Sequence, residues 1–197
     1  TLDYGVFNEL YSLNEVSLAE SDEVPICISI FNESSYQLET LNLTGVSVLH
    51  NCQEDFDYAA LERVKSLDLS NMTLNHPWEY LDFNQLLDLE ILNMDGNEIK
   101  SWNESLFENN INIMKLTMAH QQNVQIFLTD AMIQDFNKTT VLDLSGNTFR
   151  CNEEKMAKFY SMAKQRDVVG WNNGTGYVCF DDNGESRSFL ELIQNGE

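Results

Sequence analysis

The side chains of this sequence that carry chemistry of their own fall into three sets. Four cysteines stand at Cys27, Cys52, Cys151 and Cys179, three histidines at His50, His76 and His120, and six Asn-x-Ser/Thr triplets begin at Asn32, Asn42, Asn71, Asn103, Asn137 and Asn173. An even number of cysteines favours disulfide chemistry in an oxidising compartment, where the triplets are acceptors for N-linked sugar. The histidines lie far apart, and no nucleophile elbow, phosphate loop or zinc-binding helix motif accompanies them. Neither catalysis nor a cofactor or metal is therefore expected. The stretch DDNGE from Asp181 has part of the composition of a calcium loop but lacks its alternation and distal glutamate, and reads as a turn.

Such groups act only where a fold places them, and the placing element here is a repeat. An apolar residue followed by others three and five places later, then by a polar residue and another apolar one, recurs in segments starting at Leu13, Leu38, Val64, Leu89 and Ile113. The segment TTVLDLSGNTF from Thr139 keeps the same phase. The second apolar positions fall at Val16, Leu41, Leu67, Leu92, Leu116 and Leu142, in steps of 25, 26, 25, 24 and 26. Another apolar column lies six residues before the segment starts, at Phe7, Tyr58, Phe83, Phe107 and Ile133, with Phe31 displaced by one. A unit this short cannot bury its apolar face without neighbours, so both columns read as the core of stacked coils. Each coil contributes a short strand with its leucines inward, and together they form a curved parallel sheet. The expected fold is an α/β leucine-rich-repeat solenoid of about six coils over residues 1–149.

Within that repeat, Asn97 and Asn147 take the position where an asparagine satisfies turn backbone groups that have no strand partner. Ser21, Val46, Met72 and Gln121 stand there in other coils, which predicts irregular turns in the second and third. Cys27 and Cys52 each lie 14 residues beyond their segment's start and so are neighbours in consecutive coils. Adjacent strands stack ~4.8 Å apart and disulfides span Cα separations of roughly 4.4 to 6.8 Å, so a rung between coils is one outcome; two buried free thiols are the other. His50 and His76 also share a phase, either as a stacked pH-sensitive or metal-binding pair or as ordinary surface histidines. The middle outward column of the sheet, Ser17, Asn42, Asp68, Asn93, Thr117 and Asp143, is a polar ladder without aromatic anchors. A sugar on Asn42 would obstruct it, which turns attention to the lateral edges and the C-terminal end for partner binding.

Against 11 Lys+Arg stand 32 Asp+Glu, a formal charge of -21 that repels phosphate backbones and anionic membrane surfaces. Direct nucleic-acid binding is disfavoured. No run approaches the ~20 apolar residues of a membrane helix, and TLDYGVF has no signal-peptide character, so any such segments are expected outside this chain. The opening LDYGVFNELYSL has the look of a coil's return segment without a cap before it. An uncapped end exposes core, so a longer array or another chain is expected to cover it. At the other end LDLSGNTFRC runs into a segment with helical spacing at Met156, Phe159, Tyr160 and Ala163, then reaches Cys179.

That C-terminal stretch resembles the cysteine cap of extracellular leucine-rich-repeat proteins. The resemblance implies that residues 150–197 form a helical cap closed by a bridge between Cys151 and Cys179. Glu153 stands where the family's Cys-x-Cys has its second cysteine, which leaves one bridge and not two. The repeat length, LDLSGNTFRC, the cap and the sequons together resemble the Toll-like receptor ectodomain, over essentially the whole chain. By that resemblance a transmembrane helix and a cytoplasmic signalling domain follow Glu197, outside this chain, and the ectodomain lies on the extracellular side of the plasma membrane or in an endosome. It would bind a protein or microbial ligand and pair as a homo- or heterodimer with the C-terminal ends brought together. The alternative is a secreted leucine-rich-repeat recognition or adhesion protein without a membrane tether.

Overall fold

A computed structural model of the chain describes residues 6–7, 10–19, 25–31, 37–48, 58–79, 81–174 and 176–194. Ser21, Asn32, His50 and Cys52 lie outside these. Short parallel strands form around the second apolar position of each segment: β1 (Glu15–Ser17), β2 (Thr40–Asn42), β3 (Ser66–Asp68), β4 (Ile91–Asn93) and β5 (Lys115–Thr117). Two more strands complete a seven-stranded sheet, β7 (Val141–Asp143) and β9 (Asp167–Val169). The register never slips. Val16, Leu41, Leu67, Leu92, Leu116, Leu142 and Val168 are successive Cα partners, and all seven are buried. The chain is a leucine-rich-repeat solenoid.

The far side of the coils is built from short 3-10 turns, Ile28–Phe31, Tyr58–Leu61, Pro77–Glu79 and Phe83–Gln85, and from α1 (Asp130–Phe136). Phe31, Phe83, Phe107 and Phe136 are fully buried there, with Phe83 stacked on Phe107 at a centroid distance of 5.9 Å. In the sixth coil the spine residue is thus Phe136; Ile133, the residue in phase, is only partly buried beside it. Asn97 and Asn147 are interior and hydrogen-bond across coils. In the third coil, where Met72 replaces asparagine, Asn71 and Thr73 adopt left-handed backbone, φ 55° and 54°. Asn71 shares this conformation with Gly45, Gly96, His120 and Gly146, which hold the same phase in the other coils, so only Thr73 sets the third turn apart, and the second coil has no counterpart to it.

Beyond the last repeat, α2 (Glu153–Ala163) is capped by Asn152, whose side chain accepts from Lys155 N, and carries Glu153 and Glu154 in its first turn where the helix dipole favours them. It lays Met156, Phe159, Met162 and Ala163 over the open core. Strand β9 follows and pairs with β7, so the end of the chain supplies the seventh rung of the sheet. A second sheet of four strands contains β6 (Gln125–Ile126), β8 (Thr148–Arg150), β10 (Val178–Phe180) and β11 (Ser186–Ser188). The short α3 (Phe189–Gln194) closes the described chain. Asp181 sits in the β10–β11 turn, its Oδ1 accepting from Asn183 N and Glu185 N.

Candidate recognition site

Two surfaces concentrate chemistry, one on each side of the solenoid. On the concave side the outward column is bonded to itself: Asn93 Nδ2 donates to Asp68 Oδ2 (2.9 Å) and Thr117 Oγ1 to Asn93 Oδ1 (2.8 Å). The same side chains hold the turns that follow their strands. Asn42 Oδ1 accepts from Thr44 N, Asp68 Oδ1 from Ser70 N, Asn93 Oδ1 from Asp95 N and Asp143 Oδ1 from Ser145 N. Polar residues therefore recur in this column because the turn after each strand uses their oxygens. Next to it lies Asp95, half-buried, accepting from Ala119 N at 2.7 Å. Burial raises its pKa, and the nearby carboxylates of Asp143 and Asp68 push the same way. With Lys115 these acids line a depression of about 340 Å³. Its chemistry suits a cation.

The other surface is a cleft of about 410 Å³ between the third and fourth coils, lined by His76, Trp78, Asp82, Trp102, Asn103 and neighbours. Three anchors shape it. Asp82 caps the Phe83–Gln85 turn by accepting from Asn84 N, while its own N–H donates to the Tyr58 hydroxyl, whose pKa burial raises. Trp78 stands edge-on to Trp102, with centroids 5.8 Å apart, and His76 edge-on to Trp78 at 5.4 Å. The third is Asp135 of α1, wholly buried, which accepts from Trp102 Nε1 (2.9 Å), Leu106 N (2.8 Å) and the Ser105 hydroxyl, with Lys138 Nζ at 3.6 Å. One carboxylate thus pins the loop from Trp102 to Leu106, which has no helix or strand of its own.

Sequence reasoning passed over this cleft. Its one signal was a pair of tryptophans, Trp78 and Trp102, a repeat length apart. Of the two histidines that share a phase, His50 lies outside the described residues, and His76 Nδ1 lies 3.6 Å from Glu79 Oε1. His120 is exposed and lies over Gly146, φ 69°, where an added Cβ would come within 2.1 Å of its Nδ1. Among the acceptor asparagines, Asn71, Asn103 and Asn137 are exposed, Asn42 is half-buried on the sheet, and Asn173 lies in the 3-10 turn Asn172–Gly174. Cys151 and Cys179 are joined by a disulfide with a Cα separation of 5.0 Å. Cys27 is disulfide-bonded as well.

Seven strands in one register, backed by a buried phenylalanine spine and closed by a disulfide-linked end, leave one architecture. The fold is a leucine-rich-repeat solenoid. Solved structures agree with it. The chain is similar to human 5T4 (Wnt-activated inhibitory factor 1, trophoblast glycoprotein) at 17% identity and a TM-score of 0.59, over 96% of this chain and 81% of that one. It is also similar to TLR13, solved in complex with ssRNA13, at 16% identity and a TM-score of 0.51, over 88% of this chain. It spans only 32% of the TLR13 chain. No family model matches the sequence, and no curated protein does. At these identities the likeness carries the fold and nothing finer.

Proposed function

We propose that this chain is the ligand-recognition part of a Toll-like extracellular receptor, a binding module and not an enzyme, that signals by association of ectodomains. The observation that carries this reading is the way the array ends: α2 covers the last coil, β9 joins the sheet and Cys151–Cys179 ties the residue after β8 to β10. A bridge of this kind persists in oxidising surroundings, which supports a location outside the cytosol. In this reading residues 1–149 form the recognition array and 150–197 the cap. A solenoid offers partners a large surface, and the acid concave side, with Asp68, Asp95 and Asp143, selects a protein or microbial ligand with a basic contact over a nucleic acid. Ligand binding would pair the chain with a second copy or a related receptor.

A second reading, a secreted recognition or adhesion protein without a membrane tether, is favoured by Glu153. This exposed residue of the first turn of α2 stands where the resembling receptor caps carry a cysteine. The two readings separate experimentally. The complete natural ectodomain is captured with its bound molecules, these are named by mass spectrometry, and its mass in solution is measured with and without them. A receptor of the proposed kind doubles its mass when the ligand is added. A chain that binds its partner and stays monomeric at saturation overturns the association mechanism and leaves the secreted reading.

A further inference from the structure

We propose that the cleft between Trp78 and Asn103 is the seat of a glycan carried on Asn103, whose first N-acetylhexosamine packs on the Trp78 indole. This inference rests on the extracellular reading above, since only a chain that enters the secretory route receives such a sugar. Asn103 opens the triplet Asn103-Glu104-Ser105, is exposed, and lines the same cleft as Trp78, His76 and Asp82. The cleft volume of about 410 Å³ falls in the range of small-molecule sites, roughly 300–1,000 Å³.

The chemistry of the walls fits a sugar. A hexosamine ring has one face of C–H groups and a rim of hydroxyls and an amide; it needs an aromatic face for the first and polar groups for the second. Trp78 is half-buried and in T-shaped contact with both Trp102 and His76, so its ring is fixed before anything binds. Contacts of C–H groups with an electron-rich indole face are weak hydrogen bonds that add to apolar burial. Asp82, Asn84 and Glu104 supply the polar rim.

Rigidity of the attachment point decides whether a tethered sugar docks or waves in water. Asn103 lies between two residues whose groups are both bonded to Asp135, Trp102 through its indole N–H and Ser105 through its hydroxyl. The Thr129 hydroxyl holds the Trp102 carbonyl as well. Docking therefore orders only the sugar, not the loop, and the entropic penalty is correspondingly small. Asn71 and Asn137 provide internal comparisons. Both are exposed; the first lies in the turn of the third coil and the second caps the end of α1, where it accepts from Arg166.

The test uses the complete ectodomain secreted from eukaryotic cells. Sugar occupancy at each sequon is read from glycopeptide masses. Release by a peptide-N-glycosidase is then followed site by site on the native protein, and hydroxyl-radical labelling reports the exposure of Trp78 before and after release. The expected result is an occupied Asn103 released on the order of tenfold more slowly than Asn71, the rate ratio of a docked state favoured tenfold. Trp78→Ala should bring the Asn103 rate to that of Asn71 while leaving Asn71 and Asn137 unchanged, and Trp78 labelling in the wild-type protein should rise once the sugar is gone. If Trp78→Ala disturbs the fold, the Asn71 and Asn137 rates move too, and the wild-type labelling decides alone. An unmodified Asn103 beside occupied Asn71 and Asn137, or Trp78 labelling that is indifferent to the sugar, overturns the proposal. A chain bare at every sequon overturns the extracellular reading itself.

Discussion

Asn97 sits where the turn of the third coil runs out of strand partners. Its Oδ1 accepts from Met72 N and Leu74 N, and its Nδ2 donates to Leu69 O and Met94 O, so one interior side chain satisfies four backbone groups on two coils. Asn147 acts in the same way two junctions on, accepting from Gln121 N and donating to Met118 O and Leu144 O. Between them Gln121 stands at the asparagine position and still reaches Ile99 N and Met94 O. By residue type Gln121 departs from the repeat, yet its longer side chain performs the same task. Asn97→Ala leaves two buried N–H groups without acceptors and should cost about 2–4 kcal/mol in urea unfolding; a loss within the ~0.5 kcal/mol typical of surface changes would contradict the role. Asp95 works in the opposite sense. Because burial raises its folded pKa, ionisation penalises the folded state in full above that pKa and not at all below the ordinary aspartate value. Asp95→Asn, which keeps an acceptor for Ala119 N, should therefore match or exceed the wild type in stability at pH 7 and lose that advantage near pH 4. Denaturant midpoints at the two pH values check the sign.

The elements that close the solenoid were legible unevenly. Met156, Phe159, Tyr160 and Ala163 at helical spacing announce α2, which forms there. Strand β9 has only Val168 facing inward within a polar stretch, too little pattern to read as a strand; it forms because β7 offers it an edge and the Tyr177 hydroxyl, bonded to Leu144 N and Val169 O, clamps it there. The Trp78 cleft was illegible for another reason. It depends on Asp135 reaching Trp102 across 33 positions, a contact that leucine periodicity does not describe. Replacing Cys151 and Cys179 by serine opens a closure of 28 residues and should destabilise the folded capped end by about 3–4 kcal/mol on the chain-entropy model. Calorimetry of the variant beside the wild type measures it, and identical traces would refute a stabilising bridge. Asp130 of α1 accepts from Lys155 and Lys158 of α2, which holds its carboxyl down at about 2. Its folded pKa is depressed, so this tie is present above the ordinary aspartate range and is lost as pH falls from about 4 to about 2. A carbon-detected titration of Asp130 should show that low midpoint, and Lys158→Ala should return it toward the usual value.

Across the molecule, a charge of -21 makes self-repulsion the dominant long-range force, whereas the ion pairs, Lys65–Glu39 and Arg150–Asp182 among them, are mostly exposed and individually weak. Raising ionic strength from about 0.01 M to 0.15 M shortens the Debye length from roughly 30 Å to 8 Å and should raise the melting temperature; a fall would mean that the local pairs outweigh the net charge. The same field would slow encounter with any acidic partner and speed it with a basic one. Partners in the sheet are separated along the chain by 25, 26, 25, 24, 26 and 26 residues, from Val16 to Val168, yet every rung is aligned. The surplus or missing residue is absorbed on the convex side, where 3-10 turns and open loops replace one another from coil to coil. Natural insertions should therefore accumulate there, and a protein engineer who grafts a peptide into the convex loops would leave the sheet untouched. A single residue added inside Leu92 to Asn93 would turn every later side chain of that strand to the wrong face.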